Sequence, residues 1–187
     1  IKTPSEVWSA KIKKVHDSIP KLTDKEVALE LMKLTALAGD GHTYVVPQIS
    51  ESLNYHLLPV LIYPFKDGFF IRAGDPAYPN LVGARVLKIG DKSIEQLFAE
   101  TDAFQGHDNN LHHKWLAPVY LGMVEILKML GATDSDEKAT LLLEREGQKQ
   151  SVTLAALKAD FKLFGSKMDA PQWVQMNAAT KNPLPLW

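Results

Sequence analysis

The 187-residue sequence contains no cysteine. That absence excludes a disulfide framework, thiolate zinc sites and a cysteine nucleophile together. A long hydrophobic run is missing too. The longest, residues 57–65, has nine apolar positions with Pro59 and Pro64 among them, whereas a spanning helix needs about 20. There is no excess of charge of either sign: 21 Lys and Arg stand against 22 Asp and Glu, a net charge of −1. This balance excludes a global electrostatic pull towards nucleic acid or anionic membrane. Phosphate-cradling glycine loops and basic stripes interleaved with aromatics are also absent. The apolar content is 45% and the charged content 23%, both ordinary for a chain that buries a real core. The chain opens Ile1-Lys2-Thr3-Pro4 with neither an initiator Met nor a leader pattern, so it reads as a processed or excised piece.

Residues 4–38 predict two helices. Val7, Trp8, Ile12, Val15 and Ile19 recur at helical spacing until Pro20. Thr23-Asp24-Lys25-Glu26 forms a capping box, and a second apolar series runs from Val27 to Ala38, where Gly39 or Gly41 supplies the stop. From Thr43 the pattern turns β-prone, at 43–46, 57–63 and 69–72, with Lys66-Asp67-Gly68 as a hairpin turn. A further strand is expected at 84–89, a short helix at 94–100 and one long helix over 114–130 ended by Gly131. A closing hairpin is expected at 139–144 and 150–154 around Glu146-Gly147. The fold class expected is α+β: a helical hairpin followed by a five-stranded curled sheet with two helices. The division expected is 1–50, 51–157 and an extended tail at 158–187.

Chemistry concentrates in two segments. Gly39-Asp40-Gly41-His42-Thr43 places a histidine at a glycine-flanked bend between helix and strand. The negative end of the helix dipole suits an imidazole that must hold a proton transiently. A simple helix stop with His42 packing at the corner fits the same pattern. None of the nine serines sits in a Gly-x-Ser-x-Gly elbow. Ser-x-x-Lys occurs at Ser18/Lys21 and Ser135/Lys138, which 18 lysines produce by chance. The chain thus has a base without a nucleophile. The second segment, residues 106–113, carries His107, Asp108, His112 and His113, a set able to ligate zinc or nickel. Adjacent His112 and His113 diverge on any regular backbone, so a polar loop leading into a helix is the simpler reading and no metal is assigned. His16 and His56 stand alone in the sequence. A curled sheet also offers an edge for an added peptide strand, which keeps a stand-alone peptide-binding module with no catalytic role as the alternative.

Taken in order, several pieces resemble the front half of the C-terminal-processing (tail-specific) serine peptidases, in particular their tricorn-like branch. The pieces are 37–43 (Leu-Ala-Gly-Asp-Gly-His-Thr), Leu58-Pro59-Val60, 65–71 and 81–91 (Leu-Val-Gly-Ala-Arg-Val-Leu-Lys-Ile-Gly-Asp), followed by Asn109 or Asn110 and the hairpin within 141–154. The 81–91 stretch is similar to the Gly-x-x-Val-Leu-x-Ile-x-Gly strand of a PDZ-like domain. The resemblance implies that His42 is a general base, and that the serine and its carboxylate come from a core domain outside this chain. It further implies an extended polypeptide substrate, met at Leu57, Leu58 and Val60, no cofactor, and a periplasmic or extracellular setting. One departure stands out. The stretch 52–59, where a PDZ domain would cradle a terminal carboxylate, has no glycine and carries Pro59, which lacks an N–H. The module is therefore expected to position or gate the core rather than capture chain ends.

Overall fold

A computed structural model describes residues 3–45, 53–159 and 174–175. Within them the chain is α+β, as its patterning predicts: N-terminal helices, then a multi-stranded antiparallel sheet with further helices. Helix α1 (Ser5–Ser18) and helix α2 (Asp24–Ala36) form the helical pair. The capping box is complete. Thr23 Oγ1 accepts from the Glu26 N–H, and the Glu26 carboxylate accepts from the Thr23 N–H.

The sheet runs β2 (Val60–Phe65), β3 (Gly68–Gly74), β4 (Arg85–Ile89), β6 (Lys138–Arg145) and β7 (Gln148–Ala155), in that spatial order. Short strands β5 (Lys92–Ser93) and β9 (Val174–Gln175) add to β4 and β3. The two tight hairpins lie where turn chemistry places them. Lys66-Asp67 connects Phe65 to Gly68, and Glu146-Gly147 has φ of 51° and 78°, the left-handed pair that suits the twist of adjoining strands. Away from this sheet, β1 (His56–Leu57) pairs with β8 (Leu157–Lys158), which brings the start and end of the β-rich region together. Thr43, Tyr44 and Val45 carry no regular strand, and Val46 of that expected strand lies outside the described residues. So do Ser52 of the expected carboxylate loop and, from the expected tail, 160–173 and 176–187.

One helix expected over 114–130 is two. Helix α4 (Asn110–Tyr120) and helix α5 (Val124–Met129) are separated by a break at 121–123. There the Gly122 carbonyl accepts a hydrogen bond from Leu58 N–H at 2.8 Å, and Met123 bridges to Leu57. A continuous helix would have kept that carbonyl for its own ladder. Pairing with residues 57–58 takes its place; Pro118 and Gly122 weaken the helix locally, and the partner that uses the break lies about sixty residues away.

Two apolar cores result. Ile62, Ile71, Ile89 and Leu141 of the sheet pack with Leu97 of helix α3 (Ile94–Thr101) and with Leu127. Leu29 and Met32 of α2 pack with Tyr55, Phe104, Tyr120, Met123 and Ile126. Helix α5 serves both cores, so it ties the helical pair to the sheet. Each such large side chain buried contributes roughly 1.5–3 kcal/mol.

The second core carries an alkaline limit to stability. Burial, with the charge of Glu125 adding to it, pushes the Tyr55 hydroxyl up to about 12. Burial does the same to Tyr120, also to about 12. Unfolded tyrosines ionise near 10. The stabilisation from keeping both phenols neutral is therefore whole below pH 10 and lost as pH rises from 10 to 12, on the order of 2–3 kcal/mol for each. Urea midpoints at pH 9 and pH 11.5 should differ accordingly, and Tyr55→Phe should remove about half of that difference. An unchanged difference in Tyr55→Phe would contradict this account.

Candidate functional site

The corner at 39–43 is built by its own side chains. Gly39, at φ 65°, takes the left-handed turn that stops α2, its N–H donating to the Ala36 carbonyl. The Asp40 carboxylate then folds over the next two residues. Its Oδ1 accepts from the His42 N–H at 3.0 Å and its Oδ2 from the Thr43 hydroxyl at 2.7 Å. These two hydrogen bonds, the backbone one foremost, hold the Asp40 carboxyl below the usual carboxylate range. The turn leaves the His42 side chain 92% exposed, with Nδ1 3.7 Å from Asp40 Oδ1. Among the described residues no other carboxylate lies within ion-pair distance of the ring.

The second histidine-bearing segment folds onto this corner. Gly41 is buried. A Cβ there would lie 2.6 Å from His112 Nδ1 and 3.0 Å from Asp108 Oδ2. A Cβ on Gly106 would lie 2.6 Å from the Asp40 carbonyl oxygen. Two missing side chains thus let two loops, far apart in sequence, touch through backbone and imidazole. Asn109 caps α4, its carboxamide oxygen accepting from the N–H groups of Leu111 and His112. Capping fixes the direction in which Asp108 and His112 project. Beside them Gln105 is 3% exposed, and neither end of its amide is hydrogen-bonded among the described residues.

The three histidines of this segment do not act as one set. His112 faces Gly41 and tilts against Trp115, ring centroids 5.9 Å apart. His107 and His113 turn instead to Asp102, at 2.8 and 3.6 Å. His113 stacks on Phe98, with Nε2 3.0 Å from the Phe98 carbonyl, and burial lowers its pKa. It is a packed structural residue. Tyr44, two residues after His42, and Leu111 and Trp115, on the helix that carries His112, are 58, 69 and 56% exposed.

The residues expected to meet a peptide are elsewhere. Leu58 and Val60 are 1% and 2% exposed and belong to the sheet core. Their backbones are paired with Gly122 and Gly74. Leu57 is half-buried against the second core and is held by Leu157 and Met123. All three serve the fold because the break between α4 and α5 is stitched to this segment.

A polar cluster that the sequence did not announce lies between α2, β1 and α5. Glu125, 5% exposed, accepts from Lys25 Nζ at 2.7 Å and from the His56 N–H at 3.0 Å, and His56 Nδ1 is 3.0 Å from its other oxygen contact. The available signal was one acidic residue within an otherwise apolar run, 119–127. It opens on a cleft of about 660 Å³ that also meets Glu26, Asn54, Lys128 and Asp136. Lys128 pairs with Asp136 there at 2.8 Å and Lys25 with Glu125 at 2.7 Å, while Asp24 and Glu26 leave the lining acidic on balance.

No protein-family model and no curated protein sequence matches the chain.

Proposed function

We propose that residues 1–187 are the N-terminal helical and PDZ-like portion of a tail-specific serine peptidase, in which His42 is the general base. The serine and its supporting carboxylate come from a core domain outside these residues, and an extended polypeptide is the substrate. The observation that carries this reading is the presentation of His42. An imidazole held on a hydrogen-bonded turn and 92% exposed has the geometry of a group completed by an opposing surface. A base buried within the module could not reach a nucleophile on another domain, since proton transfer needs heavy atoms within about 2.6–3.2 Å. The ordered resemblance of the 37–43 and 81–91 segments supports the same assignment.

The chemistry follows the general pattern of acyl transfer. His42 accepts the proton of the serine hydroxyl as that oxygen attacks the scissile carbonyl, then returns it to the leaving amine. In the described residues Asp40 is the carboxylate nearest the ring, and it already holds the turn through two hydrogen bonds. The partner carboxylate that orients the imidazole is accordingly assigned to the core.

The 187-residue chain alone is expected to leave an unstructured, fluorogenic peptide uncleaved. The polypeptide encoded by the uninterrupted reading frame is expected to cleave it. Turnover by residues 1–187 that disappears in His42→Ala would place the nucleophile inside this chain and overturn the division of labour proposed. A reading frame that ends at Trp187 would do the same.

A further inference from the structure

We infer that the corner and the loop folded onto it form a divalent transition-metal site, with Asp40, His42, Asp108 and His112 as ligands and Zn²⁺ as the ion they suit. The donor atoms of Asp40, His42 and Asp108 all lie within 4.8 Å of one another. His112 Nδ1 lies beside them: it and Asp108 Oδ2 are 2.6 and 3.0 Å from one point above the Gly41 Cα, and its ring swings inward from outside the 4.8 Å group to become the fourth ligand. Zinc–ligand bonds of about 2.0–2.1 Å put tetrahedral donors roughly 3.4 Å apart. Closure by about 1.5 Å is a rotamer adjustment for the exposed Asp108 and His42 side chains.

Three further features favour a cation there. The donors come in two pairs, Asp40-x-His42 on one loop and Asp108-x-x-x-His112 on the other, so an ion would clamp two elements that already touch. Each pair is held by its own hydrogen bonds, the Asp40 turn and the Asn109 cap, which lowers the ordering cost of binding. Finally, among the described residues neither Asp40 nor Asp108 has a Lys or Arg within ion-pair distance. Two carboxylates brought together with only imidazoles between them lack a compensating positive charge, and a divalent ion supplies it. Two nitrogen and two oxygen donors without sulfur suit Zn²⁺ or its neighbours Co²⁺ and Ni²⁺, while Mg²⁺ requires more oxygen ligands. This set differs from the three histidines of the 106–113 segment, because His107 and His113 belong to Asp102.

The consequence for catalysis rests on the proposed role of His42. An ion bound to that ring occupies the lone pair a general base needs, so zinc would hold the peptidase inactive until chelated. Binding itself does not rest on that role.

Calorimetric titration of the 187-residue chain with zinc chloride tests the site. One ion per chain is expected at micromolar affinity, with no heat from magnesium. His42→Ala, Asp108→Asn and His112→Ala should each weaken zinc binding at least tenfold, and His107→Ala should not. Cobalt(II) provides a second readout: a visible absorption of tetrahedral intensity, lost in Asp108→Asn. No zinc uptake, or uptake that survives Asp108→Asn and His112→Ala but is lost in His107→Ala, overturns the inference. Zinc uptake by a chain whose complete polypeptide cleaves no peptide would retain the metal site and remove the peptidase reading alone.

Discussion

If His42 is the proposed general base, His42→Ala in the complete polypeptide is expected to lower kcat/KM for an unstructured peptide by about 10³-fold, within the range typical of a removed general base. The fold should not register the change. His42 makes its one close contact through its backbone N–H, which alanine retains, and its side chain is 92% exposed. Surface substitutions of this kind shift stability by no more than about 0.5 kcal/mol. The pair of measurements is therefore diagnostic: urea unfolding unchanged, hydrolysis nearly abolished. Asp40→Ala provides a contrast. It removes the acceptor for both the His42 N–H and the Thr43 hydroxyl, so the turn itself loosens. If His42→Ala kept full activity, the base would have to be sought elsewhere and the peptidase assignment of this corner would fail.

Glu125→Ala is expected to cost about 3 kcal/mol of stability, as much as truncating a large core side chain. Glu125 is 5% exposed and makes three polar contacts, with Lys25 Nζ and with the backbone and ring of His56. Breaking a buried charged pair by removing one member costs about 3–5 kcal/mol, because the other member is left without a partner. Lys25 and His56 retain partial access to water, which sets the lower end of that range. For a domain of this size the loss corresponds to a melting temperature lower by roughly 6–12 °C. Glu125→Gln should cost about half as much, since the amide oxygen still accepts from the His56 N–H. Thermal or urea unfolding that found Glu125→Ala within 1 kcal/mol of the parent would show that Lys25 and His56 do not depend on this carboxylate.

The elements read most directly from the residues are those whose cause is local. The Thr23–Glu26 box, the Lys66-Asp67 and Glu146-Gly147 turns and the alternation along 138–145 act over a few positions. Their outcome is the same wherever they sit in a fold. The helix over 114–130 was misread for the opposite reason. Its apolar spacing is compatible with one helix, and at the break Leu58, just past β1, claims the Gly122 carbonyl. Leu58 and Val60 are likewise legible as β-prone, but what buries them is not local: Val60 is set by its register opposite Gly74, and Leu58 by its bond to Gly122 at the helix break.

For the site the division is similar. Residue order alone marked Gly39 to Thr43 as a glycine-flanked bend after a helix stop, and left open whether His42 is displayed or packs at the corner; the 92% exposure of its side chain is a result of the fold. It also marked the 106–113 segment as rich in donors. That Gly41 lies under Asp108 and His112, while His107 and His113 turn away to Asp102, was decided only when the chain packed. Short-range sterics and hydrogen bonding are written residue by residue. The meeting of two loops more than sixty positions apart is set by the cores beneath them, through contacts that no local window contains.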